Sequence, residues 1–339
     1  MKRVFGIIIP TLNEEQHIRG LLRQFARSPA SQVADILVAD GGSTDATRAI
    51  VIDESKRDKR IRLIDNPDRI QSAGINRAVN ALGGSSNTIL RVDAHATYPD
   101  DFVDMITHHY ASTDADMISV RLRTAGSTCM QRAIAVAGNS KIGSGSSAHR
   151  VGGFSGYVDH GHHAAMDLLL FNAVGRYDEN FVANEDAELD YRIRQIGGKI
   201  WLAGDVEVVY FPRKSLRRLF TQYWRYGTGR AMTFLKHRER LKIRQLLSPA
   251  LATMVAFSIA VAPFSLWFAA FPVAYTLLVL AVSLSFLREH RSVCTFLVGP
   301  AIMVMHLAWG SGFLTTLALR GGLRSGLLTS IKQEDAKRG

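Results

Sequence analysis

From Pro249 to Leu287 the chain carries no Asp, Glu, Lys or Arg, and from Val293 to Leu319 it again carries none. No other feature restricts its folding so strongly. The first run is 39 residues long. As one helix it would measure ~58 Å at ~1.5 Å per residue, about twice the ~30 Å hydrocarbon core of a bilayer. The run therefore predicts a hairpin of two membrane helices, broken near Pro263 to Pro272. Such a hairpin returns Arg288 and Arg291 to the side it started from. One further span through Val293–Leu319 would place Arg320, Arg324, Lys332, Lys337 and Arg338 on the other side, against the tendency of basic flanks to stay cytoplasmic. The expectation for that run is a re-entrant segment, or two short interfacial pieces around Gly299-Pro300.

Charge elsewhere is just as uneven. Residues 1–212 hold 23 Lys/Arg against 26 Asp/Glu, whereas residues 213–244 hold 11 basic residues and one acid, Glu239. A basic run suits nucleic acid or an anionic membrane surface. Its place directly before the uncharged runs decides for the lipid bilayer, so no nucleic-acid partner is expected. The same sign rule puts residues 1–244 in the cytoplasm. Two cysteines, Cys129 and Cys294, make a disulfide framework implausible, which fits a reducing compartment. The start, "MKRVFGIIIPTLNEE", is basic and then apolar. The apolar stretch is short and interrupted by Pro10, which argues for a first strand and against a cleaved leader.

The first hundred residues alternate strand and helix patterns. Strands are predicted at 4–9, 35–40, 61–65 and 88–93, and helices at 14–27, after Ser43-Thr44, and at 72–82. Strands that are apolar on both faces argue for a parallel, doubly wound sheet with flanking helices. In such sheets ligands bind beyond the carboxyl ends of the strands. Three of the four strands end there in polar punctuation: "PTLNE" at 10–14, "DGGS" at 40–43 and "DAH" at 93–95. A glycine-rich loop (138–156), an acidic helix start "NEDAELDYRIRQIG" (184–197), a strand-like "KIWLAGDVEVVYFP" and a basic helix (215–240) complete the pattern.

No G-x-G-x-x-G follows the first strand, so a dinucleotide is not wrapped by backbone amides here. Glu14 and Asp40, at neighbouring strand ends, are instead placed to accept hydrogen bonds from a base or ribose. Asp93 and His95 stand at i and i+2 and so face the same side of an extended chain.

"IIIPTLNEE", "ILVADGGSTDAT", "RVDAH" and "NEDAELDYRIR" together resemble the successive signatures of the inverting glycosyltransferases of family 2, which have a GT-A fold. The resemblance covers roughly residues 4–200. It is greatest to bacterial exopolysaccharide glucosyltransferases of the succinoglycan-extending type, which also carry C-terminal membrane segments. It implies that Pro10, Thr11, Glu14 and Asp40 bind the nucleotide, with Asp45 supporting the loop. It implies that the Asp-x-Asp position, here Asp93 and His95, holds a divalent cation bridging the donor's phosphates. With imidazole as second ligand, Mn²⁺ is favoured over Mg²⁺. The catalytic base falls in the pair Glu185-Asp186, with Asp186 preferred. Asp190 and Arg192 read as helix-pairing residues. Arg69 is implied as a phosphate or ribose contact and Asp159 as a sugar contact. The "HGHH" cluster at 160–163 reads as a loop beside the substrate. "QYWRY" is similar to the Gln-x-x-Arg-Trp element of polysaccharide synthases, giving Gln222 and Tyr226 to the acceptor and Arg225 to the diphosphate.

The expected organisation is a catalytic nucleotide-sugar-binding domain (1–212), a basic interfacial segment (213–246), a transmembrane region (247–320) and a basic tail (321–339). The expected activity is transfer of a hexose, glucose from UDP-glucose, to the hydroxyl of a lipid-linked oligosaccharide. It would take place at the inner membrane with the catalytic domain in the cytoplasm. Two alternatives are a polyprenyl-phosphate acceptor and a catalytically silent nucleotide-sugar-binding scaffold.

Overall fold

The computed structural model describes residues 2–145 and 147–335, with side chains described as far as Arg320. In chain order the elements are β1 (Phe5–Thr11), α1 (Ile18–Ala26), β2 (Val33–Asp40), α2 (Thr47–Arg57), β3 (Ile61–Asp65), α3 (Gln71–Asn80), β4 (Thr88–Arg91), β5 (Ala96–Thr97), α4 (Phe102–Ser112) and β6 (Met117–Thr124). There follow α5 (Cys129–Asn139), α6 (Lys141–Ser144), α7 (Ala148–Val151), β7 (Gly156–Tyr157), β8 (His162–Asp167), α8 (Leu168–Ala173), α9 (Glu185–Gln195), β9 (Ile200–Tyr210), α10 (Leu216–His237), α11 (Ile243–Val261), α12 (Ala270–His290) and α13 (Val298–Asp335). They divide into an α/β unit, Met1–Ala125 with Ser146–Phe211, and a helical unit, Gly126–Gly145 with Pro212–Gly339.

The α/β unit is built on a nine-stranded sheet in the order β3-β2-β1-β4-β8-β6-β9-β5, with β7 on β9. The first four strands are mutually parallel, as the alternating pattern predicts. Beyond them the sheet is mixed: β8 runs antiparallel to both β4 and β6, while β6 and β9 are parallel. Consecutive residues of β1 alternate between two cores. Ile7 and Ile9 pack with Ile18, Leu22 and Phe25 of α1. Ile8 packs on the other face with Leu37, Ile75, Ile89 and Leu189. This is why the strand is apolar throughout.

In the helical unit the first uncharged run breaks where expected. α11 ends at Val261, a short 3-10 turn covers Leu266–Ala269, and α12 begins at Ala270. The second run departs from expectation. It is not divided at Gly299-Pro300, because a short 3-10 turn covers Val293–Leu297 and α13 continues unbroken from Val298. Pro300 lies in the first turn, where its missing N–H deprives the helix of no bond. Three helical segments, Ile243–Val261, Leu266–His290 and Val293–Arg320, are thus long and apolar enough to cross a membrane. The distal tail, 336–339, lies outside the described residues.

α10 packs backbone-to-backbone on α13. A Cβ at Gly227 would stand 2.0 Å from the Trp309 carbonyl oxygen, and one at Gly312 would stand 2.3 Å from that of Trp224. Small residues at such crossings let helices approach closely. Within this unit Glu239, the one acid of the basic stretch, accepts from Arg230 Nη2 at 2.8 Å.

Two further expectations are corrected. Cys129 and Cys294 form a disulfide: the 126–145 excursion carries α5 into the helical unit, where a partner 165 residues away meets it. The cysteine count therefore no longer speaks for a reducing compartment. The glycine-rich stretch is not an unbroken loop, since it contains α6 and α7, with Ser140 capping α6 through the Gly143 amide at 3.0 Å.

Candidate active site

The carboxyl ends of β1 and β2 carry two loops latched to each other. Asn13, at φ 56°, accepts from the Thr44 amide through Oδ1 at 2.8 Å, and its own amide donates to Ser43 Oγ at 2.8 Å. The Glu14 amide donates to Thr47 Oγ1 at 2.8 Å, and that of Glu15 to Asp45 Oδ2 at 3.2 Å. Asp45 thus supports the loop, as expected.

Asp40 does the same rather than facing outward. It is 1% exposed, and its oxygens accept from the Gly42 and Ser43 amides and from Arg48 Nη1 at 2.8 Å. Burial works against its charge, but the Ser43 hydroxyl and Arg48 hold its pKa below the usual range. Thr11 is also buried and donates to the Ile9 carbonyl at 3.0 Å, beside Pro10, which pairs with Ala39. Arg69, at φ 57°, lies over the Gly42 turn: a Cβ built on Gly42 would be 3.5 Å from its Nε.

β4 ends at Arg91, two residues before the carboxylate that terminates the predicted strand. His95 Nδ1 lies 3.0 Å from Glu14 Oε1, which joins the first and fourth strand ends and fixes the ring. Asp93 accepts weakly from Gln71 and Arg91, each at 3.4 Å, and its Oδ2 stands 3.7 Å from His162 Nε2. Burial would raise the Asp93 pKa, but the adjacent Arg91 charge holds it low. Burial pushes His162 down to about 4, so that ring is neutral.

Among the described residues no three His, Cys, Asp or Glu side chains form a closed metal cage. A cation shared between one or two protein groups and substrate phosphates needs no such cage. An ionised Asp93 and an imidazole oriented by a carboxylate are suitable donors for one.

The acidic pair opens α9. Asn184, at φ 61°, turns the chain into the helix, and Glu185 and Asp186 occupy its first turn. The two acids meet different surroundings. Arg91, 5% exposed, donates from Nη1 to Asp186 Oδ1 at 2.6 Å but stands 3.9 Å from Glu185. Tyr177 Oη donates to the same Asp186 oxygen at 3.1 Å. Burial opposes ionisation of Asp186, yet Arg91 and then His163 hold its pKa far below the carboxylate range. Burial and the Asp186 charge push Glu185 up to about 7.

Arg91, Tyr177 and Asp190 carry no site role in the motifs, the one signal being a charged residue inside the otherwise apolar Ile89–Val92. The "HGHH" cluster, expected as a loop beside the substrate, is not a loop throughout, because His162 and His163 open β8. Arg192 makes the expected i,i+4 helix pair, with Glu188 at 2.6 Å, whereas Asp190 does not pair along the helix but bridges His160 and His163. Asp159 is exposed in the loop ahead of β8. Gln222, Arg225 and Tyr226 belong to α10 in the helical unit. There Gln222 Nε2 donates to Tyr226 Oη at 2.9 Å and Arg225 is exposed.

A model of glycosyl transferase family 2 matches residues 6–171. The succinoglycan biosynthesis protein ExoA of Rhizobium meliloti is 44% identical over 308 residues, covering 91% of this chain and 93% of the relative. A dolichyl N-acetyl-alpha-D-glucosaminyl phosphate 3-beta-D-2,3-diacetamido-2,3-dideoxy-beta-D-glucuronosyltransferase of Methanococcus voltae is 25% identical over 243 residues, 68% of this chain and 74% of that one. Among solved structures, a mannosyltransferase from Pyrobaculum calidifontis in complex with GDP-Man and Mn²⁺ shares the fold. Its TM-score is 0.61 at 19% identity, over 93% of this chain and 88% of that one.

Proposed function

The chain belongs to glycosyltransferase family 2, and on that premise we propose that it moves a hexose, glucose from UDP-glucose, to a hydroxyl of a lipid-linked saccharide during exopolysaccharide assembly, with inversion at the anomeric carbon. One observation carries the reading: Arg91 separates the acidic pair into an ionised Asp186 and a Glu185 poised at about 7. A base that must take a proton from a sugar hydroxyl works best with a pKa near the operating pH. Glu185 therefore becomes the favoured base, and Asp186 the fixed charge that sets it. This exchanges the roles the motif implied.

The donor side follows from the strand ends. The nucleotide is assigned to Pro10, Thr11, Glu14 and Arg69, with Asp40 and the bonds of Asn13 to Ser43 and Thr44 and of Glu14 to Thr47 holding the loops that carry them. Asp93 and His95 would hold a divalent cation, Mn²⁺ in preference to Mg²⁺, which when bound supplies positive charge to the departing diphosphate. Glu185 takes the acceptor proton as the acceptor oxygen attacks the anomeric carbon. Asp159, Gln222 and Tyr226 are assigned to the acceptor or sugar, and Arg225 to the diphosphate.

The R. meliloti relative's name supports an exopolysaccharide product, and that of the M. voltae relative supports an acceptor sugar carried on a lipid phosphate. The three long apolar helices suit a protein that meets such an acceptor at a membrane, with the α/β unit on the cytoplasmic side. The test incubates the detergent-purified full chain with a panel of nucleotide-sugars and lipid-linked acceptors. Release of UDP that depends on UDP-glucose and acceptor is expected. GDP release, or turnover on a bare polyprenyl phosphate, would replace the donor or acceptor assignment. Silence with every donor would favour a scaffold.

A further inference from the structure

Behind the acidic pair lies a buried histidine that the transfer reaction, as described, does not use. His163 in β8 has a fully buried side chain. Its Nε2 is 2.8 Å from Asp190 Oδ1; its Nδ1 is 2.6 Å from Tyr177 Oη and 3.2 Å from Asp186 Oδ1. A neutral imidazole offers one N–H and one acceptor nitrogen, and an ionised carboxylate can only accept. Here both ring nitrogens face carboxylate oxygens. If Nδ1 were the acceptor, Tyr177 would spend its single hydroxyl proton on it and could not donate to Asp186, 3.1 Å away. With both nitrogens protonated, every group in the chain is satisfied.

We propose that His163 is a positioning residue of the transfer reaction: a buried imidazolium clamped between Asp190 and Asp186, which keeps Asp186 ionised and so leaves the acceptor's proton to Glu185. The inference rests on the reading of Glu185 as base. Its frame is rigid. Asp190 is 1% exposed at its side chain, and its second oxygen accepts from His160 Nδ1 at 2.6 Å. Gly161, between the two histidines, lies against β6 so closely that a Cβ would stand 2.3 Å from Ser119 Oγ.

The charged and titratable groups around His163 are Arg91 on β4, His162 beside it on β8, Tyr177 ahead of α9, and Glu185, Asp186 and Asp190 on α9. Beyond Asp190 lie His160 and, in edge contact with it, His149 of α7. Burial alone favours the neutral ring, but Asp186 and then Asp190 outweigh it and raise its pKa. The His163 charge in turn lowers the pKa of Glu185. Removing it moves the base upward.

The test uses the full chain in detergent, labelled with ¹⁵N-histidine, with His163→Gln assigning the signal. An imidazolium shift persisting at pH 8 is expected; a neutral ring at pH 7 overturns the proposal, whichever residue is the base. In His163→Gln, turnover at pH 6 should fall about tenfold further than turnover at pH 9, one pKa unit being a factor of ten. An equal loss at every pH would mean a purely structural role and also overturns it. Asp190→Asn, nearly isosteric, should displace the acid limb in the same direction, and it serves if His163→Gln fails to fold. Full activity of Glu185→Gln would remove the base reading, and with it the role of His163, while the spectrum would still report the ring's charge.

Discussion

Substituting each member of the acidic pair separates two assignments that differ by a proton. Arg91 Nη1 is 2.6 Å from Asp186 and 3.9 Å from Glu185, and all three side chains are largely buried. At an effective dielectric constant of about 20, the attraction is ~6 kcal/mol to the nearer carboxylate and ~4 kcal/mol to the farther one. The ~2 kcal/mol difference alone favours charge on Asp186 by roughly 1.5 pKa units. The proton therefore rests on Glu185, whose pKa of about 7 predicts turnover that rises with pH through neutrality as Glu185 ionises. Glu185→Gln removes the acceptor for the proton and should lower kcat by roughly 10²-fold or more at every pH. Asp186→Asn removes the repelling charge and leaves Arg91 to Glu185. It should shift the acid limb downward by on the order of one pH unit, with a smaller loss on the plateau. Nucleotide release, followed from pH 5.5 to 9 with saturating donor and acceptor, reads both effects. Abolition in Asp186→Asn with turnover retained in Glu185→Gln would refute the assignment and return the base to Asp186.

Chelation of divalent cations should abolish turnover, with Mn²⁺ restoring more than Mg²⁺; Asp93→Ala and His95→Ala should each lose most activity while keeping the circular-dichroism spectrum, and full activity in chelator would refute the cation assignment. Glu14→Gln removes the carboxylate that orients His95 and should raise the Mn²⁺ concentration needed for half-activation by about 10-fold or more; an unchanged requirement would deny it that role. Gly227→Leu places a side chain where the Trp309 carbonyl lies 2.0 Å from the Cβ position; the detergent-solubilised protein should lose several degrees or more of thermal stability, whereas Gly20→Ala, with open space at its Cβ, should not. Without reductant, Cys129 and Cys294 should resist alkylation in the denatured full chain and react after reduction; ready alkylation beforehand would contradict the bond.

The local pattern determined the parallel half of the sheet. β1 to β4 alternate with helices, and their residues face cores on both sides, so apolar continuity and polar strand ends are visible in one dimension. The break between α11 and α12 was equally legible, because an uncharged run of 39 residues cannot cross a bilayer once. Asp93 and His95 stood out because an apolar strand pattern ends abruptly in two polar groups, whereas Glu185 and Asp186, which would be favourable at any helix N-terminus, were singled out by the family resemblance.

The antiparallel insertion of β8 between β4 and β6 was not legible, and much of the site depends on it. β8 carries His163 to Asp190 and Asp186, residues 27 and 23 positions away in sequence. The pairing of Cys129 with Cys294 and the unbroken course of α13 were settled in the same way, by partners far along the chain. Residue type and periodicity revealed which groups carry charge. The difference in acidity between two adjacent carboxylates depends on groups brought in from elsewhere, Arg91 at 2.6 Å from Asp186 and 3.9 Å from Glu185 and His163 at 3.2 Å from Asp186, because electrostatic energy in a buried site depends on distances that the chain sets only when folded.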